Sequence, residues 1–209
     1  MGDSMNGKLH GSRTRPRLAS RTVATLALAC VLVHTGCASR KAAEVTYHDE
    51  NMDFSLIQNV AVMPFDNLST NPRAGDAVRD VFMTMLQATG SIYVLPPGEV
   101  GRGMDRMALG VNSELTAEDF VQFANIVGAD VVITGTVLEY GELRSGGSSG
   151  GVVSLGVRML EAETGRVVWS ASSSAGGVSA GARVFGGGGK PMDRKIRKAV
   201  NQLLNRLFG

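Results

Sequence analysis

The sequence predicts one α/β domain: a mixed sheet of about five strands flanked by helices, with a C-terminal antiparallel hairpin and a final amphipathic helix. Three observations carry this. Short apolar runs rich in β-branched residues alternate with segments of helical periodicity between residues 56 and 140. Two strand-like runs then follow one another across a single turn, Glu163-Thr164-Gly165. Residues 192–208 finally repeat apolar side chains at helical spacing.

The elements follow in order. Residues 56–65, LIQNVAVMPF, form an apolar run ended by the turn-forming DNLSTNP, which reads as a buried strand. Asn71-Pro72 offers an N-cap and a proline at the first helical position. The helix after it sets Val78, Val81, Phe82, Met85 and Leu86 on one face and stops at Gly90. Residues 91–95, SIYVL, are a second strand closed by Pro96-Pro97, and a short helix is expected over 99–107. Thr116 with Asp119 three places on is a capping-box variant. It opens a helix carrying Phe120, Val121, Ala124 and Ile126 to a stop at Gly128. ADVVITGTVLEY, 129–140, is the third strand.

Of the 27 glycines, 14 fall between Gly141 and Gly189. GELRSGGSSGG reads as a linker into a fourth strand, in which Val153, Leu155, Val157 and Met159 alternate with small and polar residues. RVVWSASSS, after the turn, is the fifth, with Trp169 expected in the sheet core beside Val167 and Ala171. The last helix turns Ile196, Val200, Leu203, Leu204 and Leu207 inward. No repeat of 20–50 residues is visible.

The first 36 residues have a different character. Lys8, Arg13, Arg15, Arg17 and Arg21 face one acid, Asp3, and precede the uncharged TVATLALACVLV of residues 22–33. Twelve uncharged, mostly apolar residues suit an export signal and fall short of the roughly 20 that span a bilayer. Thr35-Gly36-Cys37 has the form of a lipobox end, with His34 where an aliphatic residue is usual. Two processing routes fit. One acylates Cys37 as the new N-terminus, and the other cuts after Ala38 and releases a soluble chain. The first is the reading adopted: signal peptide 1–36, lipid attachment at Cys37, a polar tether 37–54 and a globular domain 55–209.

Processing changes two counts. Cys30 leaves with the signal, so Cys37 is the one remaining cysteine and no disulfide is expected. Net charge falls from +2 to 16 − 18 = −2, so the basic balance belongs to the signal and no nucleic-acid partner is expected.

Catalytic constellations are scarce. His48 is the one histidine left after processing, and it falls in the tether. No His/Cys pairs or tight acidic clusters suggest a metal or cofactor site. Glu161 and Glu163 flank a turn and read as a solvated hairpin. Gly186–Pro191, GGGGKP, fails the phosphate-loop pattern at Val184 and at Pro191. Arg194, Lys195, Arg197, Lys198 and Arg206 give the last helix a basic face, which suits solvent, anionic lipid or an acidic partner.

VAVMPFDNLSTNP, GADVVITGTVLEYGEL and VRMLEAETGRVVWSASSS, in that order behind the lipobox, resemble the curli production assembly/transport lipoproteins (CsgG-like). They are also similar to the outer-membrane lipoproteins that activate penicillin-binding proteins. The resemblance covers most of residues 57–175. It implies a non-catalytic periplasmic domain on the outer membrane that works through envelope protein partners, with homo-oligomers admitted. The pore-forming members insert long hairpins after the third and fifth strands. Here residues 141–151 and 174–190 stand in those places and read as too short or too glycine-rich to cross a bilayer. The expected role is a scaffold or assembly accessory without its own pore, the alternative being a regulator of a peptidoglycan synthase.

Overall fold

A computed structural model describes residues 45–110, 113–145, 148–177 and 191–209. The folded unit runs from Glu44 to Gly209. Its elements are β1 (Thr46–His48), a 3-10 turn (Phe54–Leu56), β2 (Asn59–Val62), β3 (Asp66–Asn67) and α1 (Ala74–Gln87). After them come β4 (Tyr93–Val94), α2 (Pro97–Arg106), α3 (Ala117–Val127), β5 (Val131–Ser145), β6 (Ser148–Glu161), β7 (Val167–Gly176) and α4 (Met192–Phe208).

The strands make one mixed sheet in the order β1-β7-β6-β5-β2-β4, with β3 also paired to β5. β2, β3 and β4 run parallel to their neighbours, whereas β5, β6, β7 and β1 form an antiparallel series. The expected mixed α/β sheet is therefore observed, with seven strands in place of about five.

Helices cover the sheet unequally. On one face α1 and α4 bury Val60, Val62, Ile133, Leu155, Met159 and Trp169 against Val78, Phe82, Leu86, Val200 and Leu203. On the other, α2 and α3 pack Val100, Met104, Phe123 and Ala124 against Ala61, Met63 and Val132. This coverage explains the hydrophobic pattern. β2 lies between two helical layers, so Val60, Ala61 and Val62 are all fully buried and the strand reads as a continuous apolar run. β6 and β7 have helices on one face only, so apolar and polar residues alternate along them.

Local signals act mostly where expected. Thr116 and Asp119 form the capping box: Asp119 N–H donates to Thr116 Oγ1 at 3.2 Å, and Thr116 N–H donates to Asp119 Oδ2 at 2.8 Å. Gly128 ends α3 with φ of 70°, a conformation that favours glycine. Gly165, at φ 67°, turns β6 into β7, and its N–H donates to Glu161 C=O at 2.9 Å. Asp130 joins the two parallel strands, its Oδ2 accepting from the N–H groups of Gln58 and Asn59, each at 2.8 Å.

Several expectations need correction. The helix after Asn71-Pro72 starts at Ala74, because Asn71 uses its side chain in a turn, accepting from Arg73 N–H at 3.0 Å. The expected linker over 141–151 belongs to a long hairpin, paired from Gly141↔Val152 out to Ser145↔Ser148. Backbone amides alone suffice for that pairing, so no apolar alternation marks it. Gly151 faces Lys195, whose ammonium would be displaced by any side chain there. Part of the expected tether is also structured. Thr46–His48 pair antiparallel with Ala171, Ser170 and Trp169, and Asp49 N–H donates to Val168 C=O. A three-residue edge strand is too short to display a period.

Candidate protein-contact surface

Beyond α2 and α3, the second face of the sheet is open, and strand register orders its side chains into rows. Thr134, Arg158, Ser170 and Tyr47 lie side by side across β5, β6, β7 and β1. Thr136, Gly156 and Ser172 form the next row, and Glu139, Ser154 and Ser174 a third. Ser174 donates from its hydroxyl to Ser154 Oγ at 2.9 Å. The surface is rich in hydroxyls and carries Arg158, Glu139 and the half-exposed ring of Tyr47.

A cleft of about 620 Å³ borders it, lined by Met63, Asp66, Leu68, Phe120, Thr136 and Arg158 among others. Two leucines stand exposed at its rim and just beyond. Leu68 is 70% exposed although its N–H is fixed to Val137 C=O at 2.9 Å. Leu138 is 45% exposed where the β5–β6 register shifts between Val137 and Glu139, a bulge that turns the extra residue outward. Exposed leucines around a polar cleft suit a protein partner better than a small polar substrate.

Sequence-derived candidates fall as follows. Cys37 and the GGGG stretch lie outside the described residues. His48 stacks edge-on against Phe54, ring centroids 4.4 Å apart, a packing role. Glu161 accepts from Thr164 Oγ1 at 2.7 Å inside the hairpin turn. Asp49, nearly buried, accepts from Asn51 N–H at 2.9 Å and from Arg166 at 3.4 Å. Those interactions, the Asn51 backbone bond first, hold its carboxyl below the ordinary value against a smaller opposing effect of burial. Arg79 donates to Val62 C=O at 2.6 Å, and burial pushes its guanidinium below the usual arginine value. No group of three His, Cys, Asp or Glu side chains that could hold a metal occurs among the described residues. No described helix is long and apolar enough to cross a membrane.

Sequence reasoning missed Leu68 and Leu138. Both sit in apolar or turn-like stretches whose side-chain direction depends on β3 pairing and on a bulge, and neither feature has a local sequence signal.

The fold and this surface define a class: a small three-layer α/β domain that offers faces for contact and assembles no metal cluster among its described residues. The chain belongs to the GNA1162-like lipoprotein family, which it matches over residues 51–207. Lipoprotein GNA1162 from Neisseria meningitidis is 19% identical, with a TM-score of 0.54 over 72% of this chain and 97% of that one. The PelC dodecamer from Paraburkholderia phytofirmans is 16% identical, with a TM-score of 0.52 over 77% of this chain and 95% of that one. The LpoB C-terminal domain from Salmonella enterica, 13% identical over 60% of this chain and 86% of that one, reaches a TM-score of only 0.46. No curated protein sequence matches. The family shown is thus the GNA1162-like one; the curli-transport family is not.

Proposed function

We propose that this protein is a non-catalytic envelope lipoprotein, acylated at Cys37 and held on the outer membrane facing the periplasm. Its domain serves as a scaffold or assembly accessory that binds an envelope protein on the open sheet face. The observation that carries this reading is the exposed pair Leu68 and Leu138 beside the hydroxyl-rich rows, in a chain of lipoprotein family. A ring of copies is compatible with it, since one protein of like fold is a dodecamer. Curli-type cargo transport is the finer version, and regulation of a peptidoglycan synthase is the alternative.

Two experiments test it. Intact-mass measurement of the membrane-extracted protein should give a diacylated chain starting at Cys37; a soluble chain starting at Ser39 sinks the anchor. Photo-cross-linking from position 68 in native membranes should capture one dominant protein, lost in Leu138→Asp. An adduct unaffected by Leu138→Asp would move the contact elsewhere, and a captured peptidoglycan synthase would select the alternative.

A further inference from the structure

The exposed side of α4 is a second surface, away from the open sheet face. Its buried side holds Ile196, Ala199, Val200, Leu203 and Leu204 together with Lys195, which therefore leaves the basic face that the sequence suggests and lies against Gly151 of β6. The outward positions hold Arg194, Arg197, Lys198, Asn201 and Asn205. Asp193 is the helix's one acid, and Arg197 holds it at 3.2 Å. Of the helix's five cations, Lys195 is buried and Arg206 is half-buried on Ser172 C=O, so the exposed ones are Arg194, Arg197 and Lys198, whereas the rest of residues 37–209 carries 11 cations and 17 anions, −6. A domain of acidic balance therefore presents three exposed cations along one side of a helix about 25 Å long.

The chain joins the fold beside that helix. Val45 C=O accepts from Ser172 N–H at 3.4 Å, and Ser172 C=O accepts from Arg206 at 2.7 Å. One turn back, Gln202 accepts from Ser173 Oγ at 2.7 Å. The α4 flank that includes Gln202 and Arg206 thus lies against the strand edge where residue 45 begins. Eight residue steps separate Cys37 from Val45, a reach of at most ~28 Å, and Arg40 and Lys41 lie on the way.

We infer that the basic face of α4 docks on anionic phospholipid headgroups, fixing the orientation of the domain on its membrane. Only the distance argument rests on the Cys37 anchor; the charge and the position of residue 45 do not. Arginines and lysines spread along a helix can contact several phosphates at once, and attraction of this kind is screened by salt. Docked this way, α4 faces lipid and leaves the open sheet face to a protein.

The test uses the mature chain, residues 37–209, with Cys37→Ser so that no acyl chain binds for it. The unit Glu44–Gly209 holds every described element, and circular dichroism checks the fold. The probe is vesicles of phosphatidylcholine alone or with phosphatidylglycerol. Binding is expected to the anionic vesicles only, to disappear near roughly 0.5 M salt, and to weaken at least about ten-fold in Arg194→Glu/Lys198→Glu. Arg102→Glu/Arg106→Glu, on α2, should leave it within about two-fold. No binding, equal binding to neutral vesicles, or equal loss in both double variants overturns the inference. Self-association in sedimentation that the α4 variant abolishes would assign the face to a second copy and overturn it too. Because the chain lacks its acyl group, failure here leaves the Cys37 reading standing, and the mass measurement can fail without touching this one.

Discussion

The ring of Phe65 fills the space that a side chain at Gly135 would need: a β-carbon there would stand 2.7 Å from Phe65 Cε1 and Cζ. Phe65 is buried, packs at 5.6 Å from the ring of Phe82, and lies between β2 and β3. Glycine in the middle of β5 is therefore a packing requirement that lets the chain after β2 cross onto the strand. Gly135→Ala should cost about 1–3 kcal/mol through overpacking. Equilibrium urea unfolding measures it, and the added change Phe65→Leu should recover part of the loss. An alanine variant as stable as the parent would mean that the ring does not occupy this position.

Trp169 is fully buried among α4 and the sheet with Ala171, as its strand position led one to expect, but a bulge in the β6–β7 register puts Val168 in the core in place of Val167. The indole N–H has no partner among the described residues, so the ring is held by packing. Trp169→Ala should cost about 3–5 kcal/mol by lost burial and a residual cavity. Trp169→Phe should cost less, because it keeps much of the volume and removes an unsatisfied donor. Parent emission should be blue-shifted and quenched weakly by iodide. Emission like free indole together with an unchanged melting temperature in the alanine variant would refute the burial.

Acid should weaken the domain in a predictable window. Hydrogen bonds from Thr116, its backbone N–H foremost, lower the Asp119 pKa, and those from Asn51 lower that of Asp49. A carboxylate whose folded pKa lies below its unfolded value of about 3.9 contributes stability that is fully present above that value. The contribution is lost as pH falls through the folded pKa. Asp119→Asn and Asp49→Asn should therefore lower the urea midpoint most near neutrality, with the difference from the parent shrinking below about pH 4. A deficit that stays constant from neutral to strongly acidic pH would show that neither carboxylate is stabilised by its charge.

Much of this architecture can be read from the chain because its signals are local. Thr116, Asp119 and Gly128 announce α3, and Glu163-Thr164-Gly165 announces the β6–β7 turn. The alternation in β6 reveals which face is covered. What could not be read depends on pairing between distant residues. β1 exists because Thr46–His48 find β7, and β3 because Asp66-Asn67 find β5. The outer part of the β5–β6 hairpin is written in glycine and serine, which report backbone permissiveness and no facing direction. The contact surface is less legible still, since Leu68 and Leu138 differ from core leucines only by the geometry around them. On α3 the structure buries Phe123 and Ala124 and leaves Phe120, Val121 and Ile126 only partly buried, because Phe123 packs with Val100 and Met104 on α2, a distant pairing that the helical period alone does not show.

The long hairpin raises again whether this chain makes a pore. Beyond the bulge, β5 continues only through residues 139–145, against 148–154 of β6. A membrane-spanning strand needs about 9–11 residues with an unbroken outward apolar row. Strand alternation gives this segment two rows, Tyr140, Glu142 and Arg144 on one face and Glu139, Gly141 and Leu143 on the other. Each row contains a carboxylate, and an arginine facing lipid near the midplane costs roughly 2–4 kcal/mol in every subunit of a ring. Tyr140 moreover packs against the α1–α4 core, which ties the base of the hairpin to the domain. The hairpin is therefore expected to stay in water. Purified protein in planar bilayers should give no stepwise conductance, and shortening the hairpin by joining residues 141 and 152 through a two-residue turn should leave membrane attachment unchanged. Reproducible conductance steps that vanish in the shortened variant would make the hairpin a channel wall and end the scaffold reading.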